Sequence, residues 1–105
     1  MIPEARIQIE VHRTQPDGSQ GESRYRIYLN NNLITERTWV WGNEAFVVEE
    51  FFAEIQKGFN NIIRLEIIKF GDNNLAHFFL RNLKVDNVYM SANNDSIDTV
   101  SFILA

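Results

Sequence analysis

Apolar and polar residues alternate with a period of two over several parts of the chain. Ile7, Ile9 and Val11 are separated by polar residues, and Ile63 and Leu65 begin a second such run that continues to residue 67. Successive side chains of a β-strand point to opposite faces, so this period is typical of a strand with one buried face. The pattern predicts strands at residues 7–11 and 63–67.

Five other segments are rich in β-branched, aromatic and aliphatic residues, which favour a pleated surface. The gaps between them concentrate Asn, Gly, Asp and Pro, the residues that set turn dihedrals. Asn82 divides two of these segments. The predicted strands are residues 24–29, 33–41, 75–80, 83–90 and 96–104, and the predicted turns or loops are residues 14–21, 30–32, 42–43, 56–61, 70–74 and 91–95.

The apolar positions within residues 44–57 fit both the period of a helix and the period of a strand. A helical stripe and a strand face, the latter interrupted by Glu49, both match the apolar positions. The β character of the neighbouring segments and the preference of Phe and Val for strands favour a strand at 51–55, entered through an irregular turn at 47–50. Any helix in the chain is expected within residues 44–57.

Seven to eight short strands at this spacing predict an all-β fold, an antiparallel β-sandwich or jelly roll. The chain has 105 residues and a mass of 12.3 kDa, and 45% of its residues are hydrophobic. That is the size and apolar content of one domain that folds alone. The sequence therefore predicts a single domain over residues 1–105.

The charge of the chain bears on its partners. A net charge of −4 and a pI near 5.1 argue against nucleic acid, because phosphate-binding surfaces need clustered Lys and Arg. No apolar run approaches the ~20 residues that span a bilayer, and no signal-peptide pattern opens the sequence. We expect no membrane partner and a cytoplasmic or virion-associated location.

The sequence contains few residues in the patterns that are typical of catalytic or metal-binding sites. The sequence has no cysteine, which excludes disulfides and thiolate chemistry, and its two histidines, His12 and His77, form no metal-binding motif. His77 is expected to pack among phenylalanines. Glu49 and Glu50 are adjacent, so on a strand they point to opposite faces and cannot act together; a solvated edge is expected for them. No nucleophile elbow or phosphate loop occurs, and the sequence predicts that the chain is not an enzyme.

Aromatic residues are the main candidates for an interaction site. Trp39 and Trp41 lie two residues apart on one face of a predicted strand, where they form either a platform for a sugar ring or a partner protein, or part of the core. Phe78 and Phe79 supply both faces of another strand, which suggests a sheet covered on both sides, as a subunit contact would do.

Three arginines on adjoining predicted strands are expected to form a local basic patch on an otherwise acidic protein. We expect solvated charge, and the alternative is an interface, because arginines near aromatic residues have the composition of one. The three arginines are Arg24, Arg26 and Arg37.

Four segments in order resemble the small calcium-dependent xylan-binding carbohydrate-binding modules. They are "RIYLNNNLI" at 26–34, "NNIIRLEII" at 60–68, "FGDNN" at 70–74 and "RNLKVDNVYM" at 81–90. The resemblance covers about two-thirds of the chain, and "RNLKVD" is its most specific part. It implies a jelly-roll β-sandwich with calcium held in loops and contacting sugar hydroxyls.

The acidic positions of the family match at Asp72 and Asp86, whereas Leu80 stands where family members tend to place an aspartate. Calcium takes six to eight oxygen ligands, usually with several carboxylates, so two carboxylates make a weak site. We therefore expect no cofactor, with calcium at Asp72 and Asp86 as the alternative.

The sequence is consistent with two functions. The first, which we favour, is a non-catalytic structural or assembly module, such as a virion decoration, neck or tail component, that binds a protein partner or self-associates. The alternative is a glycan-binding module for a polysaccharide, using either the strand of Trp39 and Trp41 or the loops of Asp72 and Asp86.

Overall fold

Antiparallel strands dominate the computed structural model, which describes residues 4–14, 23–39, 46–69, 77–90, 93–96 and 98–104. Nine strands lie in these described segments, and seven of them have five or more residues. The strands are β1 (Glu4–Thr14), β2 (Ser23–Leu29), β3 (Asn32–Thr38), β4 (Phe46–Glu54), β5 (Asn60–Lys69), β6 (His77–Val85), β7 (Val88–Tyr89), β8 (Asn93–Ser96) and β9 (Thr99–Ile103).

The strands form two sheets. Sheet A has the order β4-β1-β6-β7 and sheet B the order β3-β2-β5-β9-β8. The inward side chains of both sheets meet in one core, in which Ile7 and Ile9 of sheet A and Ile27 and Ile63 of sheet B are fully buried. The predicted antiparallel β-sandwich is confirmed, and the jelly roll stays a finer prediction.

Two hairpins turn on pairs of residues with positive φ. Asn30 and Asn31 have φ of 49° and 69°, and Asp86 and Asn87 have 50° and 68°. Positive φ at both central positions is the type I′ geometry that matches the twist of a hairpin. The first turn was predicted. The second turn separates the last residues of β6 from β7. The prediction of a single strand at 83–90 is therefore wrong.

The predicted break at Asn82 is a bulge inside one continuous strand. Gln8 pairs with Lys84 and Glu10 with Arg81, so Asn82 and its neighbour together face a single residue of β1. Asn82 has φ of 53°, a left-handed conformation that Asn adopts more readily than most residues.

Residues 46–54 form one regular strand, and the irregular turn predicted at 47–50 is absent from this described segment. β4 pairs with β1 in an unbroken register from His12 and Phe46 to Glu4 and Glu54. Nine consecutive pairs with a neighbouring strand outweigh the interruption of the local pattern at Glu49.

The predicted strand 96–104 is a hairpin of β8 and β9, and β8 occupies part of the predicted gap 91–95. β9 lies between β5 and β8 inside sheet B. The predicted strand 33–41 ends at Thr38. Most of the predicted loop 14–21 and all of the predicted breaks 42–43 and 70–74 lie outside the described residues.

Candidate functional site

Two of the predicted interaction residues lie in the core. Trp39 is 7% exposed and Phe78 is fully buried, and their rings meet edge to face with centroids 5.4 Å apart. Tyr25 contacts both rings, at 6.3 and 5.7 Å. Of the two alternatives for Trp39, the structure supports the core. Trp41 lies outside the described residues.

Phe79 lies on the outer face of sheet A, as the alternation with Phe78 predicts. Its ring stacks on His12 with centroids 5.1 Å apart, and Phe46 stacks on the other side of His12 at the same distance. Because β1 lies between β4 and β6, the three rings form a row across the sheet. His77 is exposed, so the histidine packed among phenylalanines is His12 and not His77.

The three arginines do not share one face. Arg24 and Arg26 lie on the outer face of sheet B, where Arg24 donates to the Thr38 hydroxyl at 3.2 Å and Arg26 pairs with Glu36 at 2.7 Å. Arg26 also lies 3.3 Å from a Glu66 oxygen. Arg37 pairs opposite inward-facing Tyr25, and its guanidinium forms an ion pair with Glu49. Carboxylates therefore balance Arg26 and Arg37, so the three do not form the single basic patch that the sequence suggested.

Glu49 is the centre of a buried polar network between the sheets. It is 2% exposed, its Oε1 accepts a hydrogen bond from the Tyr25 hydroxyl at 2.5 Å, and its Oε2 accepts one from Arg37 Nη2 at 3.0 Å. Glu50 points to the outer face and pairs with Arg6 at 2.9 Å. The predicted opposite orientation of the two carboxylates is confirmed, but Glu49 is interior rather than on a solvated edge.

Arg13 is a second charged group with little exposure, at 7%. Its guanidinium lies 6.0 Å from the centre of the Phe78 ring, and among the described residues its Nε has no hydrogen-bond partner. Burial lowers the pKa of Arg13. The arrangement places a cation at the end of the core near Phe78.

Asp86 stabilises a turn. Its Oδ1 accepts a hydrogen bond from the Arg6 backbone N–H at 2.9 Å, and its own N–H donates to the Arg6 carbonyl at 2.8 Å. Asp72 lies outside the described residues. Among the residues that the structure describes, no group of three or more His, Cys, Asp or Glu side chains could hold a metal ion. Calcium at Asp72 and Asp86 stays a prediction.

An apolar surface lies on β4, at the edge of sheet A. Phe46, Val48 and Phe52 all point to the outer face and are 56%, 51% and 65% exposed. We call these three side chains the β4 edge surface. Alternation along the chain does not predict this surface, but the sequence carries one signal of it: residues 46–53 have apolar side chains at both odd and even positions, so both faces of the strand are partly apolar.

A cleft of about 260 Å³ opens on the opposite side of the sandwich, between the hairpin of β6 and β7 and the end of sheet B. Its lining combines polar groups of Arg81, Asn82, Tyr89 and Asn94 with apolar side chains, which are those of Ile9, Leu80, Leu83, Met90 and Val100. Lys84 lies over the Tyr89 ring, 4.5 Å from its centre.

Comparison with models of protein families, with curated protein sequences and with solved structures finds no match for this chain. In the described part of the chain, no helix has the length and apolar character to cross a membrane. A function must therefore be inferred from the geometry of the surfaces described above.

Proposed function

We propose that the chain is a non-catalytic assembly module that binds another protein chain through the β4 edge surface. The observation that carries the proposal is the exposure of three large apolar side chains on the outer face of one edge strand, with Phe46 next to Val48 and Phe52 beyond Glu50. Contiguous exposed apolar patches mark interaction sites more often than single exposed residues do. A virion decoration, neck or tail component is the particular kind of assembly module that the sequence predicts, and it stays a prediction.

The backbone of β4 adds directional binding groups to this apolar surface. Among the described residues β4 pairs with β1 alone, so alternate N–H and C=O groups along its other side are free to bind an added strand. Backbone hydrogen bonds then provide affinity, and the side chains provide specificity.

The row of rings continues the surface across sheet A. Phe46 belongs both to the β4 edge surface and to the stack with His12 and Phe79. The Arg81 guanidinium lies over Phe79, 4.8 Å from the ring centre. Aromatic residues and arginine are enriched at protein interfaces. A partner bound at β4 would have this aromatic row beside it.

Photo-crosslinking in cells of the source organism tests the proposal. A photoreactive phenylalanine analogue replaces Phe52, and the control carries it at Val88, which is 62% exposed at the opposite edge of sheet A. We expect a discrete adduct with one protein chain from position 52, none from position 88, and loss of the adduct when Val48→Lys is added. No adduct from position 52, or equal adducts from both positions, would contradict the assembly function.

A further inference from the structure

We infer that the occupant of the β4 edge surface is a second copy of this chain, whose β4 pairs antiparallel with the first across a two-fold axis at Glu50. The inference rests on the proposed function and names its partner. It joins the two copies of sheet A into one continuous sheet.

β4 is the described edge best suited to accept another strand. It has nine residues, and its register with β1 is unbroken. The edge strand β3 pairs with a register shift between Ile27 and Tyr28 of its neighbour, and β8 pairs with a shift after Asn94. The edge strand β7 has two residues. Bulges, short strands and edge charges protect sheet edges from pairing. β4 has no bulge and is not short, and its charges at Glu49 and Glu50 have partners within the chain.

Across a two-fold axis at Glu50, Val48 and Phe52 of β4 are complementary to each other, and Phe46 lies opposite Glu54. An axis at Glu50 lies at the centre of residues 46–54, so all nine residues pair with the second copy. Val48 then lies opposite Phe52 of the second copy, and Phe52 opposite its Val48. Paired residues share a face of the sheet, so these exposed apolar side chains cover each other on the outer face.

The charges at the axis are already compensated within each copy. The Glu50 carboxylate accepts hydrogen bonds from Arg6 Nε at 2.9 Å and Nη2 at 3.2 Å, and from Gln8 at 3.2 Å. The two Glu50 carboxylates would therefore meet with an Arg6 guanidinium bound to each of them. The opposite charges of the arginines offset the repulsion between the glutamates.

The buried carboxylate of Glu49 favours a two-fold axis at Glu50 over one at Glu49. Its carboxylate points into its own sandwich, bound by Tyr25 and Arg37, and does not protect the edge. With the axis at Glu50 it lies opposite Phe51 of the second copy. An axis at Glu49 would pair only residues 46–52 and would place two buried carboxylates directly opposite each other, an unfavourable arrangement.

Single cysteines test the register, since the natural chain has none. Residues directly opposite on antiparallel strands have Cα atoms about 4.5 to 5.5 Å apart, within the range of a disulfide. Glu50→Cys should therefore form a disulfide-linked dimer under mild oxidation. Phe52→Cys is the matched control on the same strand and face. Position 52 lies opposite position 48 of the second copy, and position 52 of the second copy is four residues away from that point, about 13 Å along the strand. Phe52→Cys should therefore not crosslink. The double variant Val48→Cys, Phe52→Cys should crosslink.

Sedimentation of the unlabelled chain tests the dimer itself. We expect twice the 12.3 kDa chain mass for the natural sequence, and the mass of one chain for Val48→Lys with an unchanged β spectrum. The inference is overturned if the natural chain sediments as a monomer up to millimolar concentration, or if Glu50→Cys crosslinks no more than Phe52→Cys.

The two proposals fail in different ways. A Phe52 photo-adduct with a different protein, together with a monomeric chain, overturns the self-pairing and leaves the assembly function standing. The absence of any adduct from position 52 contradicts the assembly function directly.

Discussion

The Tyr25 hydroxyl donates a hydrogen bond to Glu49 across the interior of the sandwich, at 2.5 Å, and so connects β2 of sheet B with β4 of sheet A. Burial, together with the carboxylate of Glu49, raises the pKa of Tyr25, which keeps the hydroxyl protonated and able to donate. The same carboxylate raises the pKa of Arg37 through their hydrogen bond. A buried charge with two partners from the opposite sheet therefore fixes the position of the edge strand β4.

Glu49→Gln should destabilise the fold strongly. The substitution removes the charge that balances Arg37 and weakens the acceptor for Tyr25. Breaking a buried ion pair costs about 3 to 5 kcal/mol, and we expect a loss at the lower end because Arg37 is partly exposed. Urea unfolding at neutral pH measures the change.

Glu50→Gln is the matched control, one residue away on the same strand. Its ion pair with Arg6 is exposed to solvent, and such pairs contribute about 0 to 1 kcal/mol. Tyr25→Phe should lie between the two, with a loss of about 1 to 2 kcal/mol for one buried hydrogen bond. Equal losses for Glu49→Gln and Glu50→Gln would show that the buried network does not stabilise the sandwich.

Trp39→Ala should act on stability and not on association. The indole is buried against Tyr25 and Phe78, so its removal leaves a cavity and should cost about 3 to 5 kcal/mol. Sedimentation under conditions in which the variant remains folded should show the same assembly state as the natural chain. A variant that keeps its stability but loses its partner would place Trp39 in an interface.

The sequence predicted the fold where local alternation decides it. Ile7, Ile9 and Val11 give the period of β1, and Ile27 and Leu29 that of β2, because each strand has one buried face. The turn at residues 30–31 followed from the tolerance of Asn for positive φ.

Other features depended on neighbours distant in the sequence. The Asp86 and Asn87 turn lies between apolar residues that continue a strand pattern, whereas three consecutive Asn mark the turn at 30–31, so the local signal at 86–87 was weaker. Periodicity shows that Trp39 and Trp41 share a face but not which face meets the other sheet. The sequence shows apolar residues on both faces of β4 but not their exposure, because the exposure of Phe52 follows from the position of β4 at the edge of sheet A.

The Asn82 bulge allows the backbone and the side chain to be tested separately. Asn82 has positive φ, and its amide donates to Glu10 at 3.0 Å. Both Asn82→Ala and Asn82→Gly remove that hydrogen bond, but only alanine adds the cost of a left-handed conformation, about 1 to 2 kcal/mol. We expect the glycine variant to be the more stable of the two by that amount in urea unfolding. Alanine at least as stable as glycine would contradict a left-handed conformation at this position.

Acid should destabilise the fold partly through Glu10. Burial alone would raise the pKa of Glu10, but hydrogen bonds from Asn82 and His12 and the nearby charges of His12 and Arg81 lower it overall. Its folded pKa then lies below the unfolded value of about 4.3, so the unfolded chain binds the proton more readily. The stability that Glu10 contributes is fully present above the unfolded pKa and is lost as the pH falls through the folded pKa. The urea midpoint of the natural chain should therefore decrease as the pH is lowered from 6 to 3. Glu10→Gln should have a lower midpoint than the natural chain at pH 6 and a smaller decrease on going to pH 3. The same dependence on pH in both proteins would show that Glu10 is not stabilised in its charged form.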